Sequence, residues 1–252
     1  MKSTVTLNPR YKQLSEFVNA LPREFGQSGT VIYDRRNQIR VITTPDGIEV
    51  NVKRFGYSSL GINRLIYSAG LRRPKGERAY RHAALLAQKG ISTPEPIAYL
   101  EQRQCGLLRH CYLVTEQSPM RHTMYEMKDA TPGNYEEIAY HLGRFTAMMH
   151  EKEVLHLDYS PGNILWDRDD LGYHFCIVDI NRMHFGPVSL AAGCRSLRRL
   201  WGPKRFVELV ACSYAQNRNY DAGQAVELTL AARQRFWKHY RHTDELPFTV
   251  EY

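Results

Sequence analysis

The sequence predicts an α+β chain in two parts, a small antiparallel β-rich N-terminal lobe over 1–116 and a mostly helical C-terminal lobe over 117–252. Three observations carry this. Five β-rich runs, "TVIYD", "IRVITT", "IEVNVKRF", "PIAYLEQ" and "HCYLVTEQ", all fall before residue 118. The turn "PDGI" between the second and third runs contains Asp46-Gly47, a strong hairpin signal that makes neighbouring strands antiparallel. Beyond Ser118, apolar residues recur mainly at helical spacing.

Asn8-Pro9 opens an amphipathic helix with Leu14, Phe17, Val18 and Leu21 on one face. The first three runs follow as a meander. A helix comes next, with Pro74 in its first turn, Tyr80, Ala83, Ala84 and Ala87 as its packing face, Gly90 as its stop and Pro94 beyond. The last two runs complete a β-β-β-α-β-β order. In the second part, Asn134 with Glu137 has capping-box spacing, and Tyr135, Ile138, Leu142, Phe145 and Met149 form a helical stripe. "NILW" and "FCIVD" read as a short hairpin around "DRDDLGY". Helices near 204–217 and 222–241 end the chain, the second opened by Asp221 with Gln224, and Phe206, Tyr214, Phe236, Trp237 and Tyr240 read as core.

Bulk properties exclude several classes. The 252 residues suffice for a sizeable core, and 43% apolar content reads as globular. No apolar run approaches the roughly 20 residues of a membrane-spanning helix, and "MKSTVTLNPRYKQL" has no secretory apolar core. The five cysteines show no C-x-x-C pair and the histidines no spaced cluster, so free thiols in a reducing compartment are expected, without zinc. The net charge of +8 points to an anionic partner. The densest basic stretch, "RLIYSAGLRRPKGERAYRH", is broken by apolar residues. It does not read as an arm for nucleic acid.

The chemistry lies in "HLDYSPGNILWD" and, downstream, "FCIVDINRM". Asp158, Asn163 and Asp179 are a carboxylate, an amide and a second carboxylate at fixed offsets around apolar runs. Phosphoryl transfer asks for such a set: one carboxylate to orient a hydroxyl and take its proton, and hard oxygen ligands for Mg²⁺. Pro161-Gly162 lets the loop turn so that Asp158 and Asn163 face one way, and the hairpin returns Asp179.

"HLDYSPGN" matches the kinase catalytic-loop pattern H-x-D-x-x-x-x-N, "VDIN" stands where kinases have D-F-G, and "VNVK" resembles V-A-I-K. The order of elements resembles the protein-kinase-like fold. Within that superfamily, "AYRHAALLAQKGISTPEPIAYLE", "HLDYSPGNILW" and "DINRMHFGP" resemble the lipopolysaccharide core kinases of the Kdo/WaaP type. The resemblance implies ATP and Mg²⁺, with Asp158 as base and Asn163 and Asp179 as metal ligands. Lys53, Glu77 and Glu116 are then on the nucleotide side. It further implies a lipid-linked sugar acceptor, an anionic membrane surface as partner, no nucleic acid, and a cytoplasmic location peripheral to the inner membrane.

Four departures stand out. The turn between the first two strands, "DRRNQ", has no glycines, leaving backbone N–H groups or Arg35 and Arg36 to cover phosphates. The usual helix glutamate falls on Ala79, with Glu77 the nearest carboxylate. Asn51 takes the place of the small residue facing adenine. Ser160 stands where protein kinases carry lysine. His156 reads as structural, and Asn181 and Arg182 as either ligands of metal or substrate or plain loop polarity. A pseudokinase that binds without turnover, and a kinase for another small hydroxyl compound, remain the rival readings.

Overall fold

Alternation of apolar and polar side chains makes the first part a sheet. In the computed structural model, which describes residues 2–56, 62–240, 246 and 249–251, the chain divides into two compact units, Met1–Pro119 and Met120–Tyr252. The first carries β1 (Lys2–Leu7), β2 (Thr30–Asp34), β3 (Asn37–Thr43), β4 (Glu49–Gly56), β5 (Pro96–Gln104) and β6 (Leu107–Glu116). They form one sheet in the order β1-β5-β6-β4-β3-β2, with antiparallel neighbours throughout. Five of these are the predicted runs. β1 was not expected: its short "STVTL" alternation follows no turn signal, and pairing with β5 from Lys2↔Arg103 to Leu7↔Ala98 makes it a strand.

The period of two sorts β4 between two cores. Val50 and Val52 join Leu14, Val18, Leu21 and Phe25 of the first helical segment, α1 (Ser15–Glu24) and its flanks. Each of those fully buried side chains contributes roughly 1.5–3 kcal/mol before entropy is counted. Asn8 caps the preceding 3-10 turn, Pro9–Leu14, by accepting from Arg10 N–H at 3.1 Å. By the same alternation Asn51, Lys53 and Phe55 share the opposite face. There Phe55 packs with Tyr99 and Cys111, and Tyr80 of a later helix lies against them.

α2 (Ile62–Ser68), which the sequence did not suggest, precedes that helix, α3 (Lys75–Gln88). α3 ends as expected at Gly90, whose φ of +62° only glycine adopts freely. Gly90 N–H bonds to Ala87 O and Ile91 N–H to Leu86 O, closing a Schellman motif. Its packing face differs from the expected one. Gly76, Ala79, Ala83 and Leu86 are buried, whereas Ala84 and Ala87 are exposed. Gly76 explains the shift: a Cβ there would meet the Tyr99 ring at 2.9 Å, so the helix seats its glycine edge on the sheet.

The second unit holds β7 (His122–Thr123), α4 (Glu136–Glu151), β8 (Val154–His156), β9 (Ile164–Asp169), β10 (Gly172–Ile177), β11 (Met183–Phe185), α5 (Leu190–Ser196), α6 (Lys204–Gln216) and α7 (Ala222–Lys238). β9 and β10 form the predicted hairpin, and β8 pairs with β11. The stripe on α4 is buried as expected apart from Phe145, which is half-buried. Its start is not the expected capping box. Asn134 Oδ1 instead accepts from Thr131 N–H at 2.9 Å, and the Glu136 carboxylate takes Gly133 N–H at 3.0 Å, so the helix begins after Tyr135. α4 lies close to α6 at Gly143, where a Cβ would meet Val210 O at 2.6 Å. Asp221 caps α7 by accepting from Gln224 N–H at 2.7 Å, as predicted. The five cysteines are free thiols.

Candidate active site

In the second unit the candidate residues sit on a loop whose side chains alternate inward and outward. His156 and Tyr159 are buried, and Asp158 between them is half-buried. Tyr159 bonds to Thr146 Oγ1 on α4 at 2.9 Å. Burial pushes the Tyr159 hydroxyl well above its ordinary pKa, so it stays a neutral anchor.

His156 is the structural residue expected. Its Nδ1 accepts from Asp158 N–H at 3.1 Å, and its Nε2 meets Val178 O at 3.0 Å. A backbone N–H can only donate and a carbonyl can only accept, so the proton is on Nε2 and the ring is neutral. Burial, acting against the Val178 bond and two nearby carboxylates, holds its pKa below the ordinary histidine value. The ring thereby ties the backbone at 158 to the backbone at 178, one residue before Asp179.

Asn163 closes the loop. Pro161 starts a 3-10 turn over Pro161–Asn163. Asn163 N–H bonds to Ser160 O at 2.9 Å, and its Nδ2 donates to Asp158 O at 2.9 Å. With the amide nitrogen committed to that carbonyl, Oδ1 is the atom left to serve as an oxygen ligand. Gly162 permits the turn: a Cβ there would meet the Tyr125 ring at 2.5 Å.

Asp179 follows β10 with φ +55°, a left-handed conformation that aspartate tolerates at a cost of order 1 kcal/mol. Asn181, buried, donates Nδ2 to Asp179 Oδ1 at 2.5 Å. So Asn181 serves the carboxylate, and its signal was its offset of two within "DIN".

Asp158 itself is ion-paired. Arg182 Nη1 lies 3.3 Å from one carboxylate oxygen, and Arg199 Nη1 bonds to the other. Sequence reasoning missed Arg199, because "CRSLRRLW" reads as solvated helix end. It also missed the aromatic pair beside the loop: Tyr125, whose ring touches Gly162, meets Trp201 edge-on at 4.4 Å.

In the first unit, Lys53 lies on β4 opposite Ile39 and Leu113, with Nζ 5.2 Å from the Phe55 ring centroid. Glu77 is engaged by Arg73 at 3.1 Å and Arg81 at 2.9 Å. Glu116, the last residue of β6, accepts from the Tyr11 hydroxyl at 2.6 Å. Burial first, then that carboxylate, raises the Tyr11 pKa well above its ordinary value. Asn51 bonds through Nδ2 to Gln117 Oε1 at 3.0 Å. Arg35 and Arg36 form the glycine-free turn between β2 and β3, which pair up to Asp34↔Gln38.

Among the described residues no three His, Cys, Asp or Glu side chains gather as a metal site. The Asn163–Asp179 set still suits Mg²⁺, which takes one or two carboxylates and completes its shell with waters and substrate phosphates.

The model of the lipopolysaccharide kinase (Kdo/WaaP) family matches residues 47–186, more than half of the chain. The chain belongs to that family. The matched span holds Lys53, Asp158, Asn163 and Asp179 together. Among solved structures, the chain resembles WaaP in complex with acyl carrier protein, with a TM-score of 0.58 and 16% identity over 94% of this chain and 100% of that one. It also has a TM-score of 0.40 and 14% identity to the pseudokinase domain of BIR2, an immune regulator of the RLK/Pelle family, covering 96% of this chain and 93% of that one. No curated protein matches. The fold of this Kdo/WaaP family member is protein-kinase-like, an antiparallel N-terminal sheet followed by a helical C-terminal part, as the motif order implied.

Proposed function

We propose that the chain transfers the γ-phosphoryl group of ATP, with Mg²⁺, to a hydroxyl of a lipopolysaccharide inner-core sugar, Kdo or heptose. The observation that carries this is the His156 bridge with the Asn163 clasp. Together they tie the backbones at Asp158 and Asn163 to each other and to Val178, the neighbour of Asp179, and so join three groups of the types this reaction needs.

In this reading Asp158 orients the acceptor hydroxyl and takes its proton as the oxygen attacks phosphorus. Lys53 holds phosphate as a point charge. Glu77 and Glu116 flank the nucleotide side. Asn163 Oδ1 and the Asp179 carboxylate would hold Mg²⁺, which when bound neutralises charge on the phosphates. Asn181 keeps the Asp179 carboxylate oriented.

The acceptor is lipid-linked, and the excess charge of +8 supports work at an anionic surface, the cytoplasmic face of the inner membrane. Among the described residues no helix is long and apolar enough to cross a membrane. A pseudokinase is the second reading, favoured by the glycine-free turn at Arg35-Arg36 and by the arginines on Asp158. The deciding experiment incubates the protein with ATP, Mg²⁺ and a purified inner-core acceptor and measures acceptor mass. A gain of one phosphate supports the kinase. ATP binding without any gain supports the pseudokinase.

A further inference from the structure

The surface beside Asp158 holds more positive charge than one carboxylate offsets. Arg182 and Arg199 each reach an oxygen of Asp158. Arg198 stands next to Arg199 and donates Nη1 to Arg195 O at 2.6 Å, while Arg195 itself is exposed. The other three guanidiniums act on Arg198. Burial first, then the charges of Arg199 and Arg195, lowers the pKa of Arg198, with Arg182 adding to the effect and Asp158 opposing it. The ring of Phe236 backs two of them, 5.5 Å from Arg199 and 5.6 Å from Arg198. Like charges held this close repel, and a guanidinium fork fits a planar carboxylate or a phosphate in bidentate fashion. A second anion would relieve the excess. A single cation in place of the missing lysine at Ser160 would suffice to steady a γ-phosphate, so four exceed that need.

We propose that Arg182, Arg195, Arg198 and Arg199 bind an acidic group of the acceptor, a carboxylate or a phosphate beside the reacting hydroxyl, and that this anion draws the arginines off Asp158. The inference rests on Asp158 being the base of the proposed transfer. With each oxygen ion-paired to an arginine, neither is free to meet the acceptor hydroxyl. Once the acceptor's anion takes Arg182 and Arg199, Asp158 takes the hydroxyl proton. The acceptor oxygen bonds to the γ-phosphorus of ATP, the bond from that phosphorus to the β-phosphate oxygen breaks, and ADP leaves. The acidic acceptor thus switches on its own base, and water alone does not. Arg182 and Arg199 are positioning residues in this scheme.

The test uses the full chain and four purified acceptors: a Kdo-bearing lipid acceptor, the methyl ester of its carboxylate, its dephosphorylated form, and the form altered at both. Turnover is measured for the wild type, Arg199→Gln and the exposed Arg195→Gln, each first checked for a wild-type melting curve. Charge-assisted bonds of this kind are expected to change KM about tenfold to hundredfold. The esterified or the dephosphorylated acceptor, whichever lacks the recognised anion, should show that rise in the wild type. Much of the penalty should vanish in Arg199→Gln, while its acceptor-independent ATP hydrolysis increases. Equal KM for all four acceptors overturns the proposal. So does an equal fall in kcat for every acceptor, which would assign the arginines to the γ-phosphate. Calorimetry with Kdo and its methyl ester reads the anion site without turnover. Arginine-dependent binding of the acid with no transfer to any acceptor would sink the kinase reading and leave the anion site standing. No arginine-dependent binding, with transfer intact, would do the reverse.

Discussion

Replacing His156 by alanine strips partners from two backbone groups at once. Asp158 N–H loses Nδ1 at 3.1 Å, and Val178 O loses Nε2 at 3.0 Å. The ring is 1% exposed, so bulk water does not replace it. A buried polar group left unsatisfied costs about 1–3 kcal/mol. Two such groups give roughly 2–6 kcal/mol, and the vacated volume adds to it. Against a typical folding free energy of about 5–15 kcal/mol this is a large share. The loop that carries Asp158 should also lose its register with Asp179, so kcat should fall as well. His156→Gln, with one amide donor and one carbonyl acceptor, should recover part of both losses. Urea unfolding followed by tryptophan fluorescence measures the stability, and steady-state phosphate transfer measures kcat. An alanine variant that loses under about 1 kcal/mol and keeps wild-type kcat would refute the bridge as the fixing element.

Arg233 is fully buried on α7, and its guanidinium donates to Leu200 O, to Gly202 O at 3.0 Å and to Glu251 O at 3.2 Å. Arg233→Met should destabilise the protein by about 3–5 kcal/mol, since the carbonyls it satisfies are left without a charged donor; a melting temperature within a degree of wild type would contradict this. Burial, with Arg218 nearby, lowers the pKa of His150 to about 3, against about 6.5 in the unfolded chain. Between those values the unfolded state binds a proton that the folded state does not. Stability should therefore fall on acidification below about pH 6.5, by at most about 1.4 kcal/mol per pH unit from this group, and stay flat above it. The slope should shrink in His150→Gln, and an unchanged slope would dismiss His150 as the cause. Lys53→Ala should weaken ATP use with little effect on the melting curve, because the side chain is half-buried at a strand surface; turnover at the wild-type KM for ATP would remove it as the phosphate anchor.

The five predicted strands of the first unit were legible as β-rich runs, β4 by its alternating burial even though β2 is exposed throughout, and Asp46-Gly47 set a hairpin between two of them. The hairpin around Leu171 and the cap at Asp221 were legible for the same reason, since local chemistry decides them. The packing face of α3 was not. Alanines carry little preference for inside or outside, and the deciding contact, Gly76 on Tyr99, joins residues far apart in sequence. β1 escaped notice because only β5 makes it a strand. At the site, the offsets of Asp158, Asn163 and Asp179 could be read directly, and so could the structural role of His156. Arg199 could not, because its partner lies 41 residues away and a basic run at a helix end reads as solvated. The state of the Asp158 carboxylate was thus hidden even though the residue was not.

The central claim is that Asp158 acts on the acceptor while other groups hold the nucleotide. Phosphate transfer from ATP to an inner-core sugar, measured for wild type and Asp158→Ala at saturating ATP and Mg²⁺, tests it most directly. Losing a positioned base should lower the turnover number about 10²–10⁴-fold, with calorimetric ATP affinity close to wild type. An Asp158→Ala variant that transfers phosphate at the wild-type rate would contradict the account.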